Sequence, residues 1–166
     1  MKFQEIAERK RRMLAEGLPA QQVMEQIMSD ILTYRKNQST RLNGIMKIDL
    51  LCCDAEAQTI RMGFPVEEWE LNPAGTLHGG MFATAVDIAM GMLAHYYGEG
   101  QVCTTVSMTV NYLRPVQQGD MLVGEACVEK RGRTLMNMTA KGWCASDRKT
   151  TVTGSGTYMV LYRQLD

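Results

Sequence analysis

Apolar residues along this chain recur every three to four positions at first, then every second position, and then fill one stretch almost without interruption. Phe3, Ile6, Ala7, Lys10, Met13 and Leu14 fall at helical spacing and predict an amphipathic helix over residues 2–16. Gly17 stops it, and Pro19 suits the first turn of the next helix. Over residues 20–36, Val23/Met24, Ile27/Met28 and Ile31/Leu32 repeat every four residues. Such a stripe must be covered, and it is expected on the outer face of a sheet or across a contact between copies. The polar run Asn37-Gln38-Ser39-Thr40 then reads as a linker, which sets an expected helical extension at 1–40 and a second unit at 41–166.

Beyond the linker the period falls to two. Ile48, Leu50 and Cys52 alternate on one predicted strand, Asp54-Ala55-Glu56 turns, and Ile60, Met62 and Phe64 alternate on the next. A loop through Pro65, Trp69 and Pro73 leads to a nearly all-apolar helix over about 80–97, closed by Tyr97-Gly98-Glu99-Gly100. Four strands follow: Thr104 to Leu113, Met121 to Lys130, Thr134 to Cys144 and Thr150 to Tyr162. In the first, Val106, Met108, Val110 and Tyr112 are expected on one face, with Thr105, Ser107, Thr109 and Asn111 on the other. Short connections imply antiparallel neighbours. A helix apolar all round needs cover on every side. The fold class this implies is α+β, a six-stranded antiparallel sheet curled around one central helix.

Charge singles out one residue in that helix. From Met81 to Leu93 the only charged side chain is Asp87, and burying a carboxylate among Met, Phe, Val and Leu costs several kcal/mol unless it is held or used. Ahead of it, Gly79 and Gly80 leave backbone N–H groups approachable at a helix N-terminus, where orphan donors and the dipole favour an oxyanion. A carboxylate with such donors fits hydrolysis of an activated acyl group.

The remaining composition narrows the partners. With 18 Lys+Arg against 18 Asp+Glu the net charge is zero, so no nucleic acid is expected as a partner. The cluster Arg9-Lys10-Arg11-Arg12, with Glu5, Glu8 and Glu16 around it, reads as a solvated helix face. Five cysteines, an odd number, and no apolar leader after Met1 imply reduced thiols and a cytoplasmic location. Two histidines and no CxxC make a metal site improbable, and no cofactor is expected. Asp87 near the centre of Gly79–Gly98 argues against a membrane span there. No GxSxG elbow or nucleotide-phosphate loop occurs, while a Cys–His pair stays open.

The run NPAGTLHGG, then Asp87 nine residues past His78, then TTVSMTVNYLRP, resembles the PaaI-like acyl-CoA thioesterases of the hotdog-fold superfamily, over about residues 44–162. The resemblance implies that Asp87 is the nucleophile or general base and that the Gly79 N–H is the oxyanion donor. It implies that Asn72 and His78 shape the catalytic loop, and that Thr105 reaches into the site from a partner subunit. Gly80, Thr104, Met81 and Phe82 are expected to line the substrate site, and Lys130, Arg131 and Arg133 to meet coenzyme A phosphates. Acyl-CoA is then the substrate, and the protein a homodimer or homotetramer with sites at the subunit interface. Two other readings keep the same fold: a non-catalytic acyl-CoA-binding regulator, and a hydratase or dehydratase.

Overall fold

A computed structural model describes residues 3–37 and 40–162; Gln38 and Ser39 of the expected linker, and residues 1–2 and 163–166, lie outside the described residues. Helices α1 (Phe3–Ala15) and α2 (Ala20–Lys36) come first, followed by the single turn α3 (Leu42–Ile45). Strands β1 (Asp49–Asp54) and β2 (Thr59–Pro65) lead through a short 3-10 turn to the long helix α4 (Gly79–Tyr97). Then come β3 (Val102–Tyr112), β4 (Met121–Arg131), β5 (Leu135–Cys144) and β6 (Thr150–Leu161). All six strands form one antiparallel sheet in the order β1-β2-β4-β5-β6-β3, with α4 against its concave face.

Period-two patterning explains the interior strands. Ile60, Met62 and Phe64 of β2 and Met136 and Met138 of β5 point inward, none more than 1% exposed. Gly154 and Gly156 of β6 let the helix ride close to the sheet. A Cβ on Gly156 would stand 3.0 Å from Met90 Cε, and one on Gly154 3.0 Å from Val86 Cγ1.

The stripe on α2 is not on the outer face of the sheet. Val23, Met24, Ile27, Met28 and Ile31 pack against α4 and β1, in the same core as Met90, Met92 and Leu93. The reason is geometric: a sheet covers one side of a helix, and an all-apolar helix has another side to bury. At about 1.5–3 kcal/mol for each fully buried side chain, α2 is a substantial part of the fold.

Half of the basic cluster also turns inward. Lys10 is 6% exposed; its Nζ donates to Tyr96 O at 2.8 Å and to Glu99 Oε1 at 2.5 Å, and stands 4.0 Å from the Tyr96 ring centroid. It thereby ties α1 to the C-terminal end of α4, where the helix dipole favours a cation. Arg9 reaches across to Asp30 and Gln26 of α2. Leu14, expected on the apolar stripe, is exposed.

Both edge strands break the simple alternation with a β-bulge. In β1 the register slips between Leu50 and Cys52, so Cys53 is buried and Cys52 is exposed, the reverse of the expected pattern. In β3 it slips between Thr105 and Ser107. Val106 is the extra residue and lies 52% exposed, so it does not join Met108 and Val110 on the apolar face. The slip instead sets Thr105, opposite Tyr158, on the same face as Met108, opposite Gly156. Thr105 therefore faces α4 of its own chain.

Candidate active site

The loop before α4 is organised by Asn72. Its Oδ1 accepts from the N–H groups of Ala74 (2.9 Å) and Thr76 (3.2 Å), its Nδ2 donates to Thr76 Oγ1, and its backbone N–H to Thr76 O. Gly75, at φ +76°, supplies the left-handed turn between them. The loop is anchored further by the His78 N–H on Glu70 O and the Leu77 N–H on Val116 O, both at 2.9 Å.

His78 caps the helix. Its Nδ1 accepts the Gly80 N–H at 2.9 Å, and its carbonyl takes the Met81 and Phe82 N–H groups. That leaves the Gly79 N–H without an acceptor among the described residues, at the positive end of a 19-residue helix. Gly80, whose N–H is already engaged, is exposed there, while Met81 is half-buried and Phe82 buried. The Tyr112 ring lies over this mouth, 6.0 Å from that of Phe82.

Asp87 stands eight residues into the helix from Gly79, about 12 Å along its axis at 1.5 Å per residue. Its Oδ1 accepts two hydroxyl donors, Thr105 Oγ1 at 2.8 Å and Tyr158 OH at 2.7 Å. Burial first, then the Asp87 charge, hold the Tyr158 phenol well above its ordinary pKa, so it stays protonated as a donor. No donor among the described residues meets Asp87 Oδ2. The carboxylate lines a groove of about 500 Å³ shared by Ala83, Thr84 and Ile88 of α4, Thr105 and Met108 of β3, and Arg41, Leu42 and Asn43 around α3.

The structure thus unites Asp87 with Thr105, and gathers Asn72, His78, Gly79 and Gly80 at the helix mouth, but it does not bring those two groups together within one chain. Thr104 is exposed on β3. Lys130, Arg131 and Arg133 lie at the β4–β5 turn, near the opposite end of α4 from Gly79; Arg131 stacks over the Tyr97 ring at 4.8 Å. The Cys–His arrangement finds little support. Burial pushes the thiols of Cys53 and Cys103 up to about 11, and His78 Nδ1 is taken by Gly80. Among the described residues no group of three or more His, Cys, Asp or Glu is placed to hold a metal ion, and no helix is long and apolar enough to cross a membrane.

Sequence reasoning missed Tyr158, Arg41, Leu42, Asn43 and Arg35. Tyr158 was within reach: it continues the inward series Gly154, Gly156 at period two, and an aromatic hydroxyl there needs a partner. Arg35 extends the stripe Ile27–Ile31 by one more step of four, a cation where an apolar residue is due. No pattern announced α3.

One long helix enclosed by a six-stranded antiparallel sheet is the hotdog fold. Residues 74–151 match the family model described as the thioesterase superfamily, a stretch that carries the helix mouth, Asp87 and Thr105. Acyl-coenzyme A thioesterase 13 of Mus musculus is 39% identical over 70 residues, covering 42% of this chain and 50% of that protein. The chain spans about half the length of the curated relatives it matches, with 59% and 50% of the first two covered. Among solved structures, zebra fish thioesterase superfamily member 2 is similar with a TM-score of 0.70 and 26% identity, over 87% of this chain and 100% of that one. The E. coli PaaI protein of the phenylacetic acid degradation operon shares the fold at a TM-score of 0.69 and 19% identity, over 86% of this chain and 96% of that one.

Proposed function

We propose that this chain is an acyl-CoA thioester hydrolase whose chemistry is carried by Asp87. The observation that carries the reading is the carboxylate itself: Oδ1 is held by two hydroxyl donors while Oδ2 is left to face the groove. In the reaction Asp87 either takes a proton from water as water attacks the thioester carbon, or attacks that carbon directly. The C–O bond forms, the carbonyl electrons move onto oxygen, and their return breaks the C–S bond, releasing the thiol after protonation; on the direct route water then cleaves the acyl-aspartyl anhydride, freeing the acid and restoring the carboxylate. The oxyanion needs a donor, and the Gly79 N–H fits. Because Gly79 and Asp87 of one chain stand about 12 Å apart along the helix, they cannot serve one carbonyl together. A second copy therefore supplies the helix mouth with its loop of Asn72 and His78, while Thr105 works beside Asp87 of its own chain. The free edge of β3, with Val106, Tyr112 and Leu113 more than half exposed, is where two copies join. Residues 1–40 act as a helical extension on the hotdog unit 41–166. Arg41 at the groove rim, with Lys130, Arg131 and Arg133 farther off, offers charge to coenzyme A phosphates.

The hydratase reading lacks its Asp–His pair: His95 lies two turns beyond Asp87, stacked on Phe3 at 4.2 Å, with Nδ1 buried and partnerless.

The test is free-thiol release from a panel of acyl- and aryl-CoAs, wild type beside Asp87→Asn. Hydrolysis is expected to fall by about three orders of magnitude or more in the variant. Binding without thiol release in the wild type would move the reading to an acyl-CoA sensor, and equal rates would remove Asp87 from the chemistry. Single turnover in ¹⁸O-water that leaves label in the Asp87 carboxyl would establish the nucleophile role, since water attacking the thioester directly labels only the acid product.

A further inference from the structure

Helix α4 carries three residues at four-residue spacing that break its apolar surface: Asp87, Gly91 and His95. The middle one is a hole. A Cβ at Gly91 would stand 3.4 Å from Arg35 Nη2 and 3.9 Å from Tyr158 Cε1, and it is this same Tyr158 whose hydroxyl donates to Asp87 Oδ1. Glycine inside a helix is unfavourable by roughly 1 kcal/mol against alanine, so the gap has a cost. It is filled by the head of Arg35, which projects from the last turn of α2. Arg35 is 9% exposed and makes no direct hydrogen bond or ion pair among the described residues. A buried cation is unfavourable by several kcal/mol unless an opposite charge answers it, and an apolar residue would have completed the α2 stripe without that penalty.

We propose that Arg35 is the positioning cation of Asp87, seated behind the carboxylate through the gap at Gly91 and holding it aimed into the groove. The proposal deepens the thioesterase reading and rests on it for its kinetic readout alone. Thr105 and Tyr158 fix one oxygen of Asp87 by hydrogen bonds; Arg35 acts on the whole carboxylate by charge, without reaching the substrate. Arg35 is screened little from the carboxylate because its head is buried. Burial lowers the Arg35 pKa, and the nearby charge of Asp87 offsets part of that drop. The groups facing Asp87 are Arg35 from α2, Arg41 across the groove from α3, Thr105 from β3 and Tyr158 from β6, with His95 on its own helix. Of these, Tyr158 stays protonated, and His95 is pushed down to about 3, by burial first and Arg35 second, so neither titrates near neutrality.

The full-length protein is tested as Arg35→Met, which keeps the stem and removes the charge, beside Arg35→Lys. Arg35→Met is expected to lower kcat about tenfold with little change in KM, and Arg35→Lys should recover part of the loss. An unchanged kcat in folded Arg35→Met, or equal behaviour of Met and Lys, would overturn the proposal. A double-mutant cycle of Arg35→Met and Asp87→Asn, read by urea unfolding, tests the same pairing without any substrate: non-additive effects are expected, and additive ones would overturn the proposal. Should Arg35→Met fail to fold, the double variant Arg35→Met/Asp87→Asn decides. Recovery of a folded protein supports a charge left unanswered, and equal failure overturns the pairing.

Discussion

Strands β2 and β3 lie inside the sheet and at its edge, and do opposite things. In β2, Ile60, Met62 and Phe64 hold an unbroken period of two, with β1 on one side and β4 on the other, and all three are buried. In β3, at the sheet edge, the period slips by one at Val106, and Thr105 is thereby brought round to Asp87. An interior strand has neighbours that fix its register on both sides, so an error of one residue turns its whole apolar set outward. An edge strand has one neighbour and tolerates an extra residue, and the tolerance is used to aim a hydroxyl. Interior strands carry bulges too, at Glu129 of β4 and Thr151 of β6, but the slip at Val106 is the one that delivers a hydroxyl to Asp87.

The sharpest way to break this comparison is to add one residue to β2. Inserting Ala between Ile60 and Arg61 should prevent folding, seen as loss of a cooperative melt by circular dichroism. Deleting Val106 from β3 should not, because both halves of that strand already pair with β6 in one continuous series of partners. Next in size, Met62→Ala should cost about 2–5 kcal/mol in urea unfolding while sparing kcat in the folded protein. Thr105→Ala and Tyr158→Phe should do the reverse. Each removes one hydrogen bond to a charged group, and each is expected to lower kcat about 10- to 100-fold with a small shift in melting temperature. A large loss of stability with unchanged kcat would make them structural residues.

The smallest expected effect concerns pH. Burial holds His95 at about 3 in the folded protein against an ordinary 6.5, so between those values the unfolded chain takes up a proton that the folded chain refuses. The His95 contribution is therefore fully present above pH 6.5 and is lost as the pH falls towards 3. The melting temperature should drop from pH 7 to pH 5, and His95→Gln should flatten that slope; parallel slopes would show that His95 is not the group titrating.

Much of this was legible in the sequence because it is periodic. The six strands, the central helix and the two leading helices follow from spacing, and Asp87 stood out as a lone charge in apolar company. The places where spacing failed share a cause. Bulges at Leu51 and Val106 leave composition unchanged while they turn residues over, so Cys52 and Val106 were assigned to the wrong face. The inward turn of Lys10 depends on Tyr96 O and Glu99, more than eighty residues away. Arg35 depends likewise on Gly91, 56 positions on, and a vacancy in one helix is invisible from the stripe on another.

Lys10 has a consequence of a different kind, in the language of chemical labelling. The ammonium is enclosed by Tyr96, Tyr97 and Glu99, while the side chains of Lys47, Lys141 and Lys149 are 60% or more exposed. To an amine-reactive reagent those three are bright from the first second, and Lys10 is dark as long as α1 stays docked. Its acylation can proceed only as fast as the first helix lifts from the end of α4. A single lysine thus serves as a built-in clock for the opening of the N-terminal layer, readable by mass spectrometry on the unmodified chain.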